Sequence, residues 1–225
     1  VKAEYIDHMG DDLRVVNAAR VSFNKESHWE PEELSTADGG SETVMSLSEK
    51  DRKLIHYLAT HNHWTPFSHP MITIRETVPI FVARQRFKHM VGFTYNEVSR
   101  RYVDDEPEFF EPEEWRSRPE GSVKQGSGET HGYNESFKYI YEDYTKHAKG
   151  LYEKMLDMGV APEQARMILP QSMYTSYYVT GSLAAWARAY KQRIDPHAQQ
   201  EIQDLAKQWG DIIDPLFPVS WKALT

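Results

Sequence analysis

The heptad Asn96-Glu97-Val98-Ser99-Arg100-Arg101-Tyr102 packs a carboxylate, a hydroxyl, an amide and two guanidiniums into consecutive positions. Guanidinium forks, a hydroxyl and backbone N–H groups hold a phosphate, and a paired acceptor and donor reads the edge of a pyrimidine. From Arg75 to Arg101 there are six basic side chains and two acidic ones, in a chain whose formal charge is -8. A basic patch inside an acidic chain suits a small polyanion such as a nucleotide, whereas the overall charge argues against a nucleic-acid coating role. Taken alone, the heptad reads as a solvated charged turn before it reads as a nucleotide site.

Other chemistry is narrower. The chain has no cysteine, which removes disulfides, thiolate metal sites and thiol nucleophiles. His61-Asn62-His63 and His69 offer ligand types that zinc accepts, but no H-E-x-x-H spacing orders them, so a histidine-bearing surface turn is expected and no metal. Ser99 has no base partner evident in the sequence. A hydroxyl at its free pKa attacks poorly, so binding and polarisation are its expected roles. No G-x-G-x-x-G or P-loop pattern occurs, so a nucleotide cofactor is not expected on a doubly wound fold.

The elements that must position these groups follow from periodicity. Ala3 to Ile6 predicts a short strand, Asp11 to Arg20 a helix, and Ser48 with Asp51 caps a second helix running to about His61. The polar segment of about 24–47 reads as a mobile insertion. Met71 to Val78 reads as a strand, and Pro79 opens a basic helix with Arg84 and Lys88 on one face, Gln85 and His89 on another. A surface loop is expected at about 116–130. The strongest helix carries Phe137, Ile140, Tyr141, Tyr144, Ala148, Leu151, Tyr152 and Met155 and stops at Gly159. Its tyrosines, like those of Tyr174 to Tyr178, read as core or subunit packing rather than base-stacking platforms. Pro162 to Leu169 is a shorter helix, Ser172 to Thr180 a β-rich run, and Leu183 to Lys191 helical. Asp195 and Pro196 cap a last helix before an irregular end at Pro215 and Pro218. The expected class is α+β, a single domain over 1–225 with helices packed on a mostly antiparallel sheet. With no long apolar run and no leader pattern at Val1 to Glu4, a cytoplasmic protein without membrane segments is expected.

Five segments in order, Ala18 to Phe23, His63 to His69, Val78 to Tyr102, Ala165 to Pro170 and Arg193 to Gln199, resemble the flavin-dependent thymidylate synthases over most of the chain. The family's Arg-His-Arg stands here as Lys88-His89-Met90, one residue farther from Ser99, and its late Asn is Ser182. Lys88 supplies a point charge in place of a planar fork. The resemblance implies reductive methylation of dUMP to dTMP, with methylenetetrahydrofolate as carbon donor and NADPH-reduced FAD as hydride source. It assigns dUMP to Gln85, Glu97, Ser99, Arg100 through its backbone, Arg101, Arg166 and Arg193. It assigns FAD to Ser22, His63, Thr65, Lys88, His89, Met90, Glu97, Arg188 and His197. Arg193, where charge gathers on the pyrimidine carbonyl, and Ser99 are the implied catalytic groups. The resemblance also implies a homotetramer with active sites at subunit interfaces. Two other readings compete, a nucleic-acid-binding module on 84–102 using Phe93 and Tyr95, and a metal hydrolase at His61, His63 and His69.

Overall fold

The computed structural model describes residues 1–36, 39–103, 105–119 and 126–225. Strand β1 (Lys2–Met9) leads to helix α1 (Asp12–Arg20), whose first turn is capped by Asp11 accepting from the Arg14 N–H. Within the segment read as a mobile insertion, β2 (Glu30–Ser35) and β3 (Ser41–Ser46) pair as a separate two-stranded antiparallel sheet. Helix α2 (Glu49–Thr60) starts at Ser48, whose hydroxyl accepts from the Asp51 N–H as the sequence pattern predicts. Then follow β4 (Met71–Pro79), α3 (Ile80–Arg86) and β5 (Phe93–Glu97). The second half holds α4 (Asn134–Asp157), α5 (Pro162–Ala165), β6 (Tyr174–Ser182), α6 (Leu183–Arg193), α7 (Gln200–Ile213) and α8 (Pro218–Leu224).

The main sheet has the order β1-β4-β6-β5 and every pairing in it is antiparallel. Alternation along β4 decides which face is covered: Ile72, Ile74, Glu76 and Val78 are fully buried, while Thr73, Arg75 and Thr77 point the other way. Tyr177 and Val179 of β6 join the buried face, where Trp186 of α6 and Trp209 of α7 complete the core. Burial of these large side chains supplies most of the driving force. The opposite face carries Arg75, Ser176 and the half-exposed Tyr178.

Four expectations change. Asn96 and Glu97, which open the heptad read as a charged turn, instead end strand β5, whose backbone pairs with β6, Tyr95 opposite Val179. Helix α3 is shorter than its basic pattern implies, so Lys88 and His89 sit in the turn beyond it. Pro79 lies at its N-cap, and the Ile80 and Phe81 N–H groups donate to the carbonyls of Met173 and Gln171. Helix α7 begins at Gln200 rather than at Asp195, whose carboxylate instead accepts from the His197 backbone. The end expected to be irregular contains α8. Its first N–H groups, from Val219 and Ser220, donate to the buried carboxylate of Asp12 at 2.8 and 2.9 Å, a cap supplied from the far end of the chain.

Arg116 and Thr130 bridge the base of the expected surface loop, of which residues 120–125 lie outside the described ones. Helix α4 is long as predicted, yet only Thr145, Ala148 and Tyr152 are buried along it, and Tyr139, Ile140, Tyr144 and Leu151 are exposed. Among the described residues no helix is long and apolar enough to cross a membrane.

Gly181 of β6 faces the Phe93 ring so closely that an added Cβ would lie 2.3 Å from it. Gly181→Ala is expected to cost about 2 kcal/mol, a fall of roughly 4–8 °C in thermal midpoint measured by calorimetry. An unchanged midpoint would mean that the ring moves aside without loss.

Candidate active site

The site is built over a buried ion pair. Glu76, in the apolar stripe of β4, accepts from Arg86 Nε at 3.1 and 3.2 Å, and both side chains are fully buried. Two charges in a core are tolerated only when their remaining polar atoms find partners. The Tyr177 hydroxyl donates to Glu76 at 2.6 Å, and Arg86 Nη1 donates to the Tyr95 hydroxyl at 2.6 Å. The guanidinium carbon lies 4.4 Å from the Phe93 ring centroid, 4.7 Å from Trp209 and 4.8 Å from Trp186. Nη2, which has no hydrogen-bond partner among the described residues, is thus surrounded by aromatic faces. Burial pushes the Tyr95 phenol up to about 12, which keeps it a donor, and it donates onward to the His89 carbonyl at 2.6 Å.

His89 connects this pair to Arg193. Its ring Nε2 accepts from Arg193 Nε at 2.8 Å, at the last turn of α6. Burial first, then the charges of Arg193, Arg86 and Arg188, pull the His89 pKa down to about 4. The imidazole is therefore neutral at pH 7, with Nε2 free to accept and the proton on Nδ1. Arg193 Nη2 reaches the Gln85 carbonyl at 3.4 Å, and the Gln85 side chain meets Gln199, which in turn donates to Glu201. A partly exposed guanidinium held at fixed orientation, beside an amide, can polarise a carbonyl and stabilise charge developing on it.

A second cluster lies elsewhere. A cleft of about 510 Å³ is lined by Glu97, Ser99, Arg100 and Arg166, together with Arg75, Thr77 and Ser176 of the sheet. Thr175 donates to Glu97 at 2.7 Å, and the Arg101 N–H donates to the Ser99 hydroxyl at 3.3 Å. Arg100 is tied back to Asp105 through its side chain. Glu163 draws in two of the guanidiniums assigned to dUMP: its carboxylate is 3.8 Å from Arg101 Nε and its carbonyl accepts from Arg166 Nε at 3.2 Å. An anion at that spot would meet the same two groups. None of Gln85, His89 or Arg193 lines this cleft.

The residues assigned to the flavin are mostly at the surface. Ser22, His63, Thr65, Lys88, Met90, Arg188 and His197 are exposed, and His89 is buried. Asn62, in the left-handed region at φ 56, turns the chain so that the His63 N–H donates back to Leu58. Between this turn, the loop after α3 and the flank of α6 runs a groove of about 370 Å³, lined by Asn62, Trp64, Val91, Ala184, Ala187, Arg188, Lys191 and Leu224. Its alanines and apolar walls are of a kind that a planar ring packs against, and Arg188 with Lys191 carries charge that suits a pyrophosphate, but of the residues assigned to FAD only Arg188 lines it. Ser182, standing where the family has Asn, accepts from the Ala185 N–H and caps α6. His61 and His63 have ring centroids 6.2 Å apart, and among the described residues no three metal-ligating side chains converge.

Glu76, Arg86, Tyr95 and Tyr177 were missed as site-supporting residues. Their signal was present: a lone acid in the stripe Ile72, Ile74, Glu76, Val78, and an arginine at the helical spacing of Val82 and Ala83. A charge at a core position demands an opposite charge.

The depressed His89 pKa predicts a pH dependence. The unfolded chain binds the proton near pH 6.5 and the folded one near pH 4, so this group's contribution to stability is complete above about 6.5 and is lost as pH falls towards 4. Wild type is expected to lose more stability than His89→Gln across that window in urea titrations; parallel curves would show that His89 is not held neutral.

The family profile described as "Thymidylate synthase complementing protein" matches residues 4–219. The flavin-dependent thymidylate synthase of Thermosipho africanus is 36% identical over 97% of this chain and 88% of its own length. That of Thermus thermophilus is 34% identical over 97% of this chain and 73% of its length. Among solved structures, the UMP/dUMP methylase PolB from Streptomyces cacaoi, bound with 5-Br dUMP, superposes with a TM-score of 0.80 at 27% identity, covering 99% of this chain and 93% of PolB. With the family profile matching nearly the whole chain and two such synthases 36% and 34% identical over 97% of it, on an α+β fold shared with a solved relative, the chain belongs to the flavin-dependent thymidylate synthases.

Proposed function

We propose that the chain methylates dUMP to dTMP with methylenetetrahydrofolate as carbon donor and NADPH as reductant of FAD, in a cytoplasmic homotetramer whose active sites are shared between subunits. The observation that carries the reading is the Arg193 guanidinium oriented by neutral His89 in a chain with no cysteine. Without a thiol to add to the pyrimidine, activation of its C5 rests on polarising a ring carbonyl. Arg193 supplies that positive charge, and Gln85, whose backbone carbonyl accepts from Arg193, reads the pyrimidine edge once its side chain leaves Gln199. Arg101 and Arg166 hold the phosphate, with Ser99 and the backbone at Arg100 completing its cradle. Glu163 gives way as the phosphate enters.

In the net reaction C5 loses a proton and gains the methylene carbon, and a hydride completes the methyl group, releasing tetrahydrofolate. FAD, when bound and reduced, supplies that hydride. Arg188, Lys191 and the alanine-lined groove hold it, with His63 and Thr65 on the neighbouring turn. The separation of the Arg193 cluster from the Ser99 cleft supports a site completed by a second subunit. The exposed tyrosine and aliphatic face of α4 and the open face of the main sheet support the assembly, since surfaces of this kind are otherwise covered by a partner.

The test is dTMP formation from dUMP and methylenetetrahydrofolate by the purified protein, omitting FAD or NADPH in turn. Product that requires both is expected, and product independent of flavin would overturn the reading. Arg193→Ala is expected to lower kcat by about a hundredfold or more with flavin content retained, whereas Arg101→Ala mainly raises the KM for dUMP. Full activity in Arg193→Ala would remove its catalytic role.

A further inference from the structure

Arg86 and Glu76 have a place in this molecule that packing alone does not require. A buried ion pair is commonly replaced by apolar residues of similar volume with no loss of stability. Here the guanidinium meets the carboxylate through Nε, leaving Nη1 directed to the Tyr95 hydroxyl rather than to Glu76. The links that follow are all short. Arg86 Nη1 to Tyr95 is 2.6 Å, Tyr95 to the His89 carbonyl 2.6 Å, and Arg193 Nε to His89 Nε2 2.8 Å. Met90 and Val91 of the turn they hold are largely exposed; its other ties are the His89 N–H to the Arg86 carbonyl, the Phe93 N–H to the Met90 carbonyl, the Ser182 N–H to the Gly92 carbonyl and the Arg188 guanidinium to the Val91 carbonyl, none of which reaches the His89 carbonyl or ring.

We propose that Arg86, anchored on Glu76, is a positioning residue for the methylation: through the Tyr95 hydroxyl it fixes the His89 carbonyl, and with it the imidazole that aims the Arg193 guanidinium at the pyrimidine. The inference rests on Arg193 being the group that meets the pyrimidine. Its physical basis is rigidity transmitted by a connected buried network. Glu76 on β4 is held by Tyr177 on β6, and Arg86 is enclosed by rings from β5, α6 and α7, which leave neither charge room to swing away. The edge of the site is thereby referenced to the core rather than to the exposed turn that carries it. Supporting groups of this kind set reacting geometry to within fractions of an ångström, and their loss appears in turnover more than in binding.

Two variants test this. Tyr95→Phe removes the single hydroxyl that passes position from Arg86 to His89. The double variant Glu76→Gln with Arg86→Met removes both charges while keeping a partner for Tyr177 and the core volume. Each is expected to retain flavin and to bind dUMP with a KM within about twofold of wild type, while kcat falls at least about tenfold. A tautomer readout on ¹⁵N-histidine-labelled protein accompanies the kinetics. In wild type His89 Nε2 is unprotonated and Nδ1 carries the proton; in Tyr95→Phe the two tautomers mix. The ring signal reports the geometric claim whether or not dTMP is made, and wild-type dTMP formation reports the functional reading, so the two failures are told apart. Wild-type kcat in Tyr95→Phe, or a folded double variant that turns over like wild type, would overturn the proposal, as would an unchanged His89 tautomer in Tyr95→Phe. Should the double variant fail to fold, Tyr95→Phe decides.

Discussion

Burying a carboxylate and a guanidinium against each other is the constraint around which this structure is arranged. Removing both charges from water costs several kcal/mol for each ion, so the core is organised to give their polar atoms partners. Glu76 draws on the Tyr177 hydroxyl, and Arg86 draws on Tyr95 and on the faces of Phe93, Trp186 and Trp209. These groups come from β4, α3, β5, β6, α6 and α7, so one ion pair fixes the mutual placement of six elements. Arg193 at the end of α6 and His89 beyond α3 take their positions from that arrangement.

The resulting chemistry uses few reactive groups. A neutral imidazole accepts from a guanidinium, which under the proposed function keeps its charge for a substrate carbonyl. Burial and the nearby charge of Arg86 also lower the Arg193 pKa, which still leaves the group cationic at pH 7. The phosphate-type cluster around Ser99 and Arg166 is held apart from it, beside the sheet face that the helices leave uncovered. Under the proposed function a small dianionic nucleotide touches both, its phosphate end and its pyrimidine end served by different copies of the chain.

Much of this was legible in the sequence where local rules decide. The Ser48 cap, the long α4 periodicity ending at Gly159 and the alternating β4 follow from spacing alone, and the α+β class follows from their order. Where partners come from far along the chain, local reading fell short. Strand β5 exists because β6 offers it a ladder, and α8 forms because Asp12 caps it from the opposite terminus. Lys88 and His89 left the helix expected for them because the chain turns at Arg86 to bury that guanidinium. The heptad at 96–102 offered residue types that suit a nucleotide, though alone it read first as a charged turn, and the ordered segments added the family. Its separation from Arg193 became visible only in three dimensions.

The most direct measurement is subunit mixing between Arg193→Ala and Arg101→Ala, co-refolded in equal amounts and assayed at dUMP levels where neither variant alone turns over. If each active site takes Arg193 from one subunit and Arg101 from another, about a quarter of the sites in random mixed oligomers are intact and activity returns. No recovered activity in demonstrably mixed oligomers would place both arginines of a site on one chain and contradict the account.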